Sequence, residues 1–405
     1  MSKLIQTNLF EGTRRLQMND SIELTARSLN AYGPTHKHWA VAWSGGKDST
    51  ATLTLLVWLI ESGKVQRPES LTVLFADTRL ELVPLMAAAY DIMDDLRARG
   101  IDVRVVMSPL DERFFVYMFG RGVPPSGAGF RWCTGLIKIE PMEAELRRLV
   151  GEKGEKVLMV TGVRQGESAV RDQRIVMSCG KDGAECGQGW YQETLPAALC
   201  DTLAPLLHWR VCHVWEWLRN WAPRAEFGDW STKMVAEAYG GEEAEEKNAR
   251  TGCMGCPVAS KDVALENLVA RPNWSYLRPL LRLRPMFEHL RNNLAGRKRQ
   301  PAGERNADGK LARKQQRLGP LTMEARLAGL ATVLAIQAEV NAAADEQGRP
   351  RVDILNSEEV ARIHELIAAN TWPDKWTGNE PTADVAHDVV YADGSTMPLL
   401  DFMKS

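Results

Sequence analysis

Several things are scarce in this chain, and each scarcity closes off a class of protein. No apolar run approaches the ~20 residues a bilayer-crossing helix requires. Residues Met1 to Leu16 are polar and mixed in charge, without the apolar centre of a signal peptide. The expectation is a cytoplasmic protein with no membrane partner. An excess of one charge is lacking too: 50 Lys and Arg against 52 Asp and Glu leave a net charge of −2. A uniformly basic nucleic-acid binder is thereby excluded, and any such surface must be local. Only seven cysteines occur in 405 residues, and in a reducing compartment they are expected as thiols or metal ligands and not disulfides. One Cys-x-x-Cys occurs without a second, which disfavours a self-contained zinc ribbon. With 44% hydrophobic and 25% charged residues, the chain has material for two or three domains around a large core.

What is present is organised around Trp39 to Thr50, where an apolar strand runs into Ser44-Gly45-Gly46-Lys47-Asp48-Ser49 and on into the apolar run Ala51 to Ile60. A helix is expected to start at about Asp48, capped by an acidic or hydroxyl side chain. The turn before it is built as an anion cradle. Its glycines admit a phosphate close to the backbone, its N–H groups form a nest at a helix start, Lys47 adds a mobile cation, and Ser44 and Ser49 add hydroxyls. The adjacent glycines do not fit the Walker spacing.

Further along, Leu71 to Thr78 reads as a buried strand ending in Asp77, followed by a helix over Leu82 to Arg99 and a strand over Ile101 to Val106. Strands alternating with helices imply a parallel sheet covered on both faces. Ligands then bind beyond the strands' carboxyl ends, which places Asp77 beside the phosphate loop, unless it merely caps a helix. Residues 107–130 read as a loop or short helix. Cys133 stands ahead of a helix between Arg131 and Lys138, a setting that lowers a thiol pKa. Val157 to Ser168 is a further strand with Arg164 at its tip; Arg171 and Arg174 follow, and the three could converge on phosphate. A glycine-rich excursion over Ser178 to Leu199 carries Cys179, Cys186 and Trp190.

Gly252-Cys253-Met254-Gly255-Cys256 suits zinc, a redox dithiol or two corners of an iron–sulfur cluster. Distant thiols must complete a cluster, with Cys133 the best third ligand and Cys186 or Cys200 the best fourth. From His289 to Arg317 there are nine Lys or Arg against two acids. This is either a solvated linker or a DNA-binding arm that uses Arg297, Lys298, Arg299, Arg313 and Lys314 with Trp274 and Tyr276 as stacking partners; the arm is the favoured reading. Helices over Leu321 to Asn341 and Ser357 to Asn370, the second with Ser357 as its cap and Glu359 near its start, are expected to form a helical cover.

The Ser-Gly-Gly-Lys-Asp-Ser loop resembles the pyrophosphate (PP) loop of the ATP pyrophosphatases. With Phe-Arg-Trp-Cys-Thr and Lys138, Gly-Val-Arg-x-x-Glu-Ser and Gly-Cys-x-x-Cys in this order, residues 38–290 resemble the phosphoadenosine-phosphosulfate-reductase-like sulfurtransferase subunit of bacterial DNA phosphorothioation systems. The resemblance implies an α/β adenine nucleotide α-hydrolase-like fold with helices on both faces of a parallel sheet and a helical C-terminal extension. It implies ATP and Mg2+ bound at Ser44 to Ser49 with Asp77, Arg164 and Arg174, and catalytic roles for Lys47, Asp48 and Arg164. It further implies a 4Fe-4S cluster on Cys133, Cys186, Cys253 and Cys256, with DNA, a cysteine desulfurase as sulfur donor and other phosphorothioation subunits as partners. The segment before Gly252 departs from the pattern, with Gly-Gly-Glu-Glu-Ala-Glu-Glu where further cysteines are expected. The expected division is a lead-in over 1–37, the PP-loop domain over 38–260 and the extension over 261–405. A reductase of adenylyl sulfate or its phosphorylated form is the alternative enzyme, disfavoured because no cysteine follows Cys256. A nucleotide-responsive DNA-binding subunit without turnover is the alternative outside enzymes.

Overall fold

The computed structural model describes residues 16–127, 129–165, 199–240, 252–259, 261–306 and 308–404. Arg171, Arg174, Cys179, Cys186 and Trp190 lie outside the described residues. Five parallel strands form the central sheet in the order β3-β2-β1-β4-β5. These are β1 (His38–Trp43), β2 (Ser70–Ala76), β3 (Asp102–Val106), β4 (Val157–Val160) and β5 (Cys200–Leu203). β1 pairs with β2 on one side and β4 on the other, Trp39 lying opposite both Leu71 and Leu158. The strand order reverses between β1 and β4, and that switch point is where an open α/β sheet leaves a crevice.

Helices α1 (Met18–Tyr32), α2 (Lys47–Glu61), α3 (Val83–Ala98), α4 (Trp132–Thr134) and α5 (Glu140–Lys153) accompany the strands. Helix α2 is buried along nearly its whole length, Leu53, Leu55, Leu56 and Leu59 being fully covered. It lies under the sheet on one side and against α6 (Val211–Glu216) and the π-helical turn Trp217–Trp221 on the other. Gly154 takes a left-handed φ of 72° and stops α5 before β4 begins. Short α7 (Lys233–Glu237) and α8 (Val263–Val269) follow, then α9 (Leu283–Asn292), α10 (Met323–Gln347) and α11 (Ser357–Ala368). One apolar core runs from Leu53 and Phe75 through Phe119 and Phe287 to Val333 and Ile363, so the C-terminal helices share the core of the sheet.

Three expectations about the C-terminal part are corrected. The basic stretch is neither arm nor linker where it carries Arg297, Lys298 and Arg299. These form β6 (Arg297–Arg299), antiparallel to β7 (Leu318–Leu321). Arg297 donates to the carbonyls of Gly319 and Arg291, Arg299 to those of Val385 and Ala386, and Lys298 to that of Glu380. Arginines at 5% and 3% exposure are staples for backbone acceptors and have no free fork for phosphate. Trp274 and Tyr276 are buried and cannot stack on bases; Arg313 and Lys314 alone of the five basic residues stay exposed. The cap of α11 is Asn356, whose side chain accepts from Glu359 N while Glu359 returns to Asn356 N, one residue before the expected Ser357. Finally, α10 is long and apolar enough to cross a membrane by length and composition, against the expectation that no run would be. Here it buries Leu330, Val333, Ile336 and Val340 in the core with a fully covered Arg326, which donates to the carbonyls of Leu321, Gly120 and Thr371.

Candidate functional site

At the carboxyl end of β1 the chain turns through Ser44-Gly45-Gly46 and enters α2 at Lys47. Gly45 has φ +72°, a conformation that L side chains resist. Gly46 is the N-cap and no side chain caps the helix, so Asp48 is not the cap the sequence suggested. Asp48 instead sits buried in the first turn, with Arg164 Nε 2.5 Å from its Oδ1 and Lys47 Nζ 2.9 Å from its Oδ2. Arg164, 5% exposed, also donates to Trp209 O at 3.2 Å. Ser44 Oγ and Ser49 Oγ lie 3.2 Å apart, and Ser49 Oγ donates to Gly46 O. Every described member of the expected cradle is therefore in one place, with two cations gathered on one carboxylate.

The cradle is closed from β4. A Cβ on Gly162 would stand 2.7 Å from Ser49 N and Cα and 2.8 Å from Asp48 C, so only glycine lets the end of β4 touch the start of α2. The neighbouring Thr161 Oγ1 is buried without a hydrogen-bond partner among the described residues. A helix start with no side-chain cap and two cations beside it fits a bound polyphosphate, which would accept from the free amides. Sequence reasoning missed Tyr239. Its hydroxyl accepts from Lys47 N at 3.1 Å, and its ring lies 5.1 Å from Lys47 Nζ; no local pattern marks a contact across this many residues.

Asp77 ends β2 beside this crevice, buried at 7%. It caps no helix: its Oδ1 accepts from Arg79 N at 2.8 Å, holding Arg79 at φ +61°. Arg79 in turn pairs with Asp353 and Glu359 of the C-terminal extension. The same loop reaches the cysteines, because Met254 N donates to Leu80 O at 2.7 Å.

Cys133, Cys253 and Cys256 do come together. Cys253 foremost, then Glu81, Cys133 and Cys256, hold Lys138 above the ordinary lysine value against the opposing effect of burial. Lys138 keeps an exposed surface as a residue, while its ammonium lies buried among these groups. Burial of the thiol pushes Cys253 up to about 11, against the pull of Lys138; the residue as a whole is only half-buried. Glu81 is likewise raised, by burial first, while Thr78 opposes the shift. The alignment of Cys133 with Lys138 has a backbone cause. Five residues apart on an α-helix they would point roughly 140° away from each other. The segment Gly135–Ile139 is instead a π-helical turn, whose hydrogen bonds span five residues and return position i+5 toward the face of position i.

The other cysteine proposed as a fourth ligand does not join them. Cys200 is buried at the start of β5, opposite Val157, and so lies at the amino ends of the strands, the far end of the sheet from the loop. Among the described residues no three His, Cys, Asp or Glu side chains stand close enough to share one metal ion. The donor chemistry of three gathered thiols fits a cluster, in which each thiolate binds a different iron.

Residues 38–222 match the family model of the phosphoadenosine phosphosulfate reductase domain. An uncharacterized protein of Methanocaldococcus jannaschii is 29% identical over 230 residues, which are 56% of this chain and 38% of that protein. The chain thus spans well under half the length of the curated relative it matches. Among solved structures, phosphoadenylyl-sulfate reductase from Candida auris in a phosphate complex aligns at 13% identity and a TM-score of 0.32, covering 51% of this chain and 88% of that one. The U34-tRNA thiolase NcsA from Methanococcus maripaludis, with its 4Fe-4S cluster, aligns at 16% identity and 0.32, covering 67% and 79%. FMN adenylyltransferase from Candida glabrata, with FMN and an ATP analogue, aligns at 16% and 0.31, covering 50% and 57%. Over residues 38–222, then, the chain is similar to the phosphoadenosine phosphosulfate reductase domain, carried on a five-stranded parallel sheet with the phosphate loop at its switch point.

Proposed function

We propose that the protein is an ATP pyrophosphatase of the sulfurtransferase type, which activates a DNA backbone phosphate for replacement of one of its oxygens by sulfur. The observation that carries this reading is the meeting of two chemistries around the β2–α3 loop: Asp77 ends it beside the anion cradle, and Leu80 holds the Cys-x-x-Cys turn. ATP would lie with its phosphates on the amides at the start of α2, between Gly46 and Ser49. Lys47 and Arg164, already gathered on Asp48, neutralise charge that grows on the phosphates as the bond between the α and β phosphorus breaks. Asp48 and Asp77 are the carboxylates available to Mg2+. A substrate oxygen attacks the α-phosphorus and pyrophosphate leaves with the bonding electrons; the terminal sulfur of a desulfurase persulfide then attacks the substrate phosphorus and displaces AMP, and a dithiol reductant cleaves the remaining S–S bond to leave the phosphorothioate. Cys133, Cys253 and Cys256 would hold an iron–sulfur cluster, which when bound supplies a thiophilic centre for incoming sulfur.

The test is incubation of anaerobically prepared protein with ATP, Mg2+, duplex DNA, a desulfurase with free cysteine and a dithiol reductant, followed by measurement of pyrophosphate and of nuclease-resistant phosphorothioate dinucleotides. Both are expected, and protein with Cys133→Ser or Cys253→Ser should release pyrophosphate but form no phosphorothioate. Absence of pyrophosphate with every nucleotide would overturn the proposal. The match over residues 38–222 favours a second reading, reduction of phosphoadenylyl sulfate; sulfite formed from that nucleotide and a dithiol, with no pyrophosphate from ATP, would select it.

A further inference from the structure

The Cys-x-x-Cys turn lies beyond the segment that matches the reductase domain, and so does the helix that holds it. Two arginines on one face of α9 reach both cysteine-bearing loops. Arg291 Nη1 donates to Ser126 O at 3.2 Å and to Pro257 O at 3.0 Å. Ser126 is fully buried, and its Oγ accepts from Cys133 N at 3.4 Å; Pro257 directly follows Cys256. Arg284, two helical turns earlier and so on the same side, donates through Nη1 to Cys256 O at 3.2 Å. The close approach depends on Gly255, at φ +66°, where a Cβ would lie only 2.7 Å from Leu283 Cβ at the start of α9.

We infer that α9 is the positioning element of the thiol site, and that Arg291 sets the separation between Cys133 and the Cys253–Cys256 pair. A guanidinium suits the task because its rigid, charged donors bind carbonyl oxygens more strongly than neutral amides do, and it cannot lose its proton. Spending it on two backbone carbonyls fixes two loops that are remote in sequence and that share no strand or helix. Cys133 is tied to the first loop through Ser126 Oγ, and Cys253 and Cys256 ride on the second, so the spacing of the sulfurs follows the guanidinium. The inference rests on the thiol-site reading above, but it concerns distances between thiols and not turnover.

The experiment uses the full chain with Cys256→Ser, so that Cys133 and Cys253 remain as the pair. Dibromobimane joins two nearby thiols, and the joined peptides are mapped by mass spectrometry. A Cys133–Cys253 bridge is expected, and Arg291→Met should slow its formation roughly tenfold or more, since small displacements of paired reactive groups carry large rate costs. Arg291→Lys, which keeps a cation and a donor, should fall between. Labelling of each thiol by monobromobimane should be unchanged, because access is not at issue. No bridge in the Arg291 protein, a full bridging rate in Arg291→Met, or equal slowing of single labelling would each overturn the inference. Should Arg291→Met fail to fold, Ser126→Ala removes only the acceptor for the Cys133 amide and should slow bridging in the same direction; full rates in it and in Arg291→Lys would refute the role. No ATP enters the assay, so loss of pyrophosphate release counts against the proposed function and leaves the bridging result standing.

Discussion

Replacing Gly162 by alanine tests the phosphate site at its tightest point. The added methyl would meet backbone atoms, Ser49 N and Cα at 2.7 Å and Asp48 C at 2.8 Å, and backbone has no rotamer by which to step aside. To restore a 3.4 Å contact, the start of α2 must retreat from β4 by about 0.7 Å. Overpacking of this kind costs about 1–3 kcal/mol of stability, which a protein of this size tolerates. A shift near 1 Å of the groups that hold a reacting phosphate costs roughly 100-fold in rate. Gly162→Ala should therefore remain folded, with a melting midpoint a few degrees lower, while pyrophosphate release from ATP falls about two orders of magnitude. Gly151→Ala is the control: it lies within α5 with nothing inside 4 Å of the new methyl, and it should gain about 0.5–1 kcal/mol with turnover unchanged. Full pyrophosphate release by Gly162→Ala would refute the contention that α2 and β4 jointly shape the cradle.

Three further outcomes are expected. Asp48→Ala should abolish pyrophosphate release, as should Ser44→Ala; the former should also destabilise by about 3–5 kcal/mol in thermal denaturation, because it strands a buried Arg164 without its partner. Alanine at Arg297, Lys298 and Arg299 should melt the C-terminal part, whereas alanine at exposed Arg313 and Lys314 should spare the fold and, if DNA lies there, flatten the salt dependence of binding by roughly one unit of slope for each phosphate no longer engaged. The Arg362 guanidinium holds the Asp111 carboxyl below its ordinary value of 3.8, with burial opposing. A lowered carboxyl stabilises the fold above its unfolded pKa and loses that contribution as pH falls through the native one. Asp111→Asn should therefore flatten the acid limb of a stability–pH profile between α11 and the segment 110–120 it covers, and an unchanged limb would refute the pairing.

What could be read from sequence was what short-range physics encodes. Continuous apolar runs marked β1, β2 and β4, because strands buried on both faces need nothing but apolar side chains; β3, Asp-Val-Arg-Val-Val at the edge of the sheet, alternates polar with apolar instead. The glycine pair and its flanking serines marked the turn from β1 into α2, since a residue at φ +72° calls for glycine. Strand β5 was missed: Cys-Asp-Thr-Leu is short and half polar, and it becomes a strand only because β4 offers it an open edge. Composition misled over residues 289–317, where charge suggested solvent and the arginines found backbone carbonyls instead. Cys200 and Cys256 look alike as residues of one type and lie at opposite ends of the sheet, a fact of strand direction that no spacing rule contains. Tyr239 on Lys47 N, Arg291 on two loops and the π-helical turn at Gly135–Ile139 all depend on partners far away or on a change of hydrogen-bond register, and left no local trace.

That π-helical turn has a consequence for how such sites arise and are found. A π turn amounts to one extra residue accommodated in a helix, so the orientation of Lys138 is a matter of chain length as much as of residue identity. Removing one residue between Cys133 and Lys138 would return the turn to plain α-helix and leave the lysine four positions on, about 40° round and still on the face of Cys133. Relatives that share the chemistry should therefore show either a five-residue interval with a π turn or a four-residue interval without one. Pattern searches that fix the interval at five and assume an α-helix would place the cation roughly 140° from the thiol.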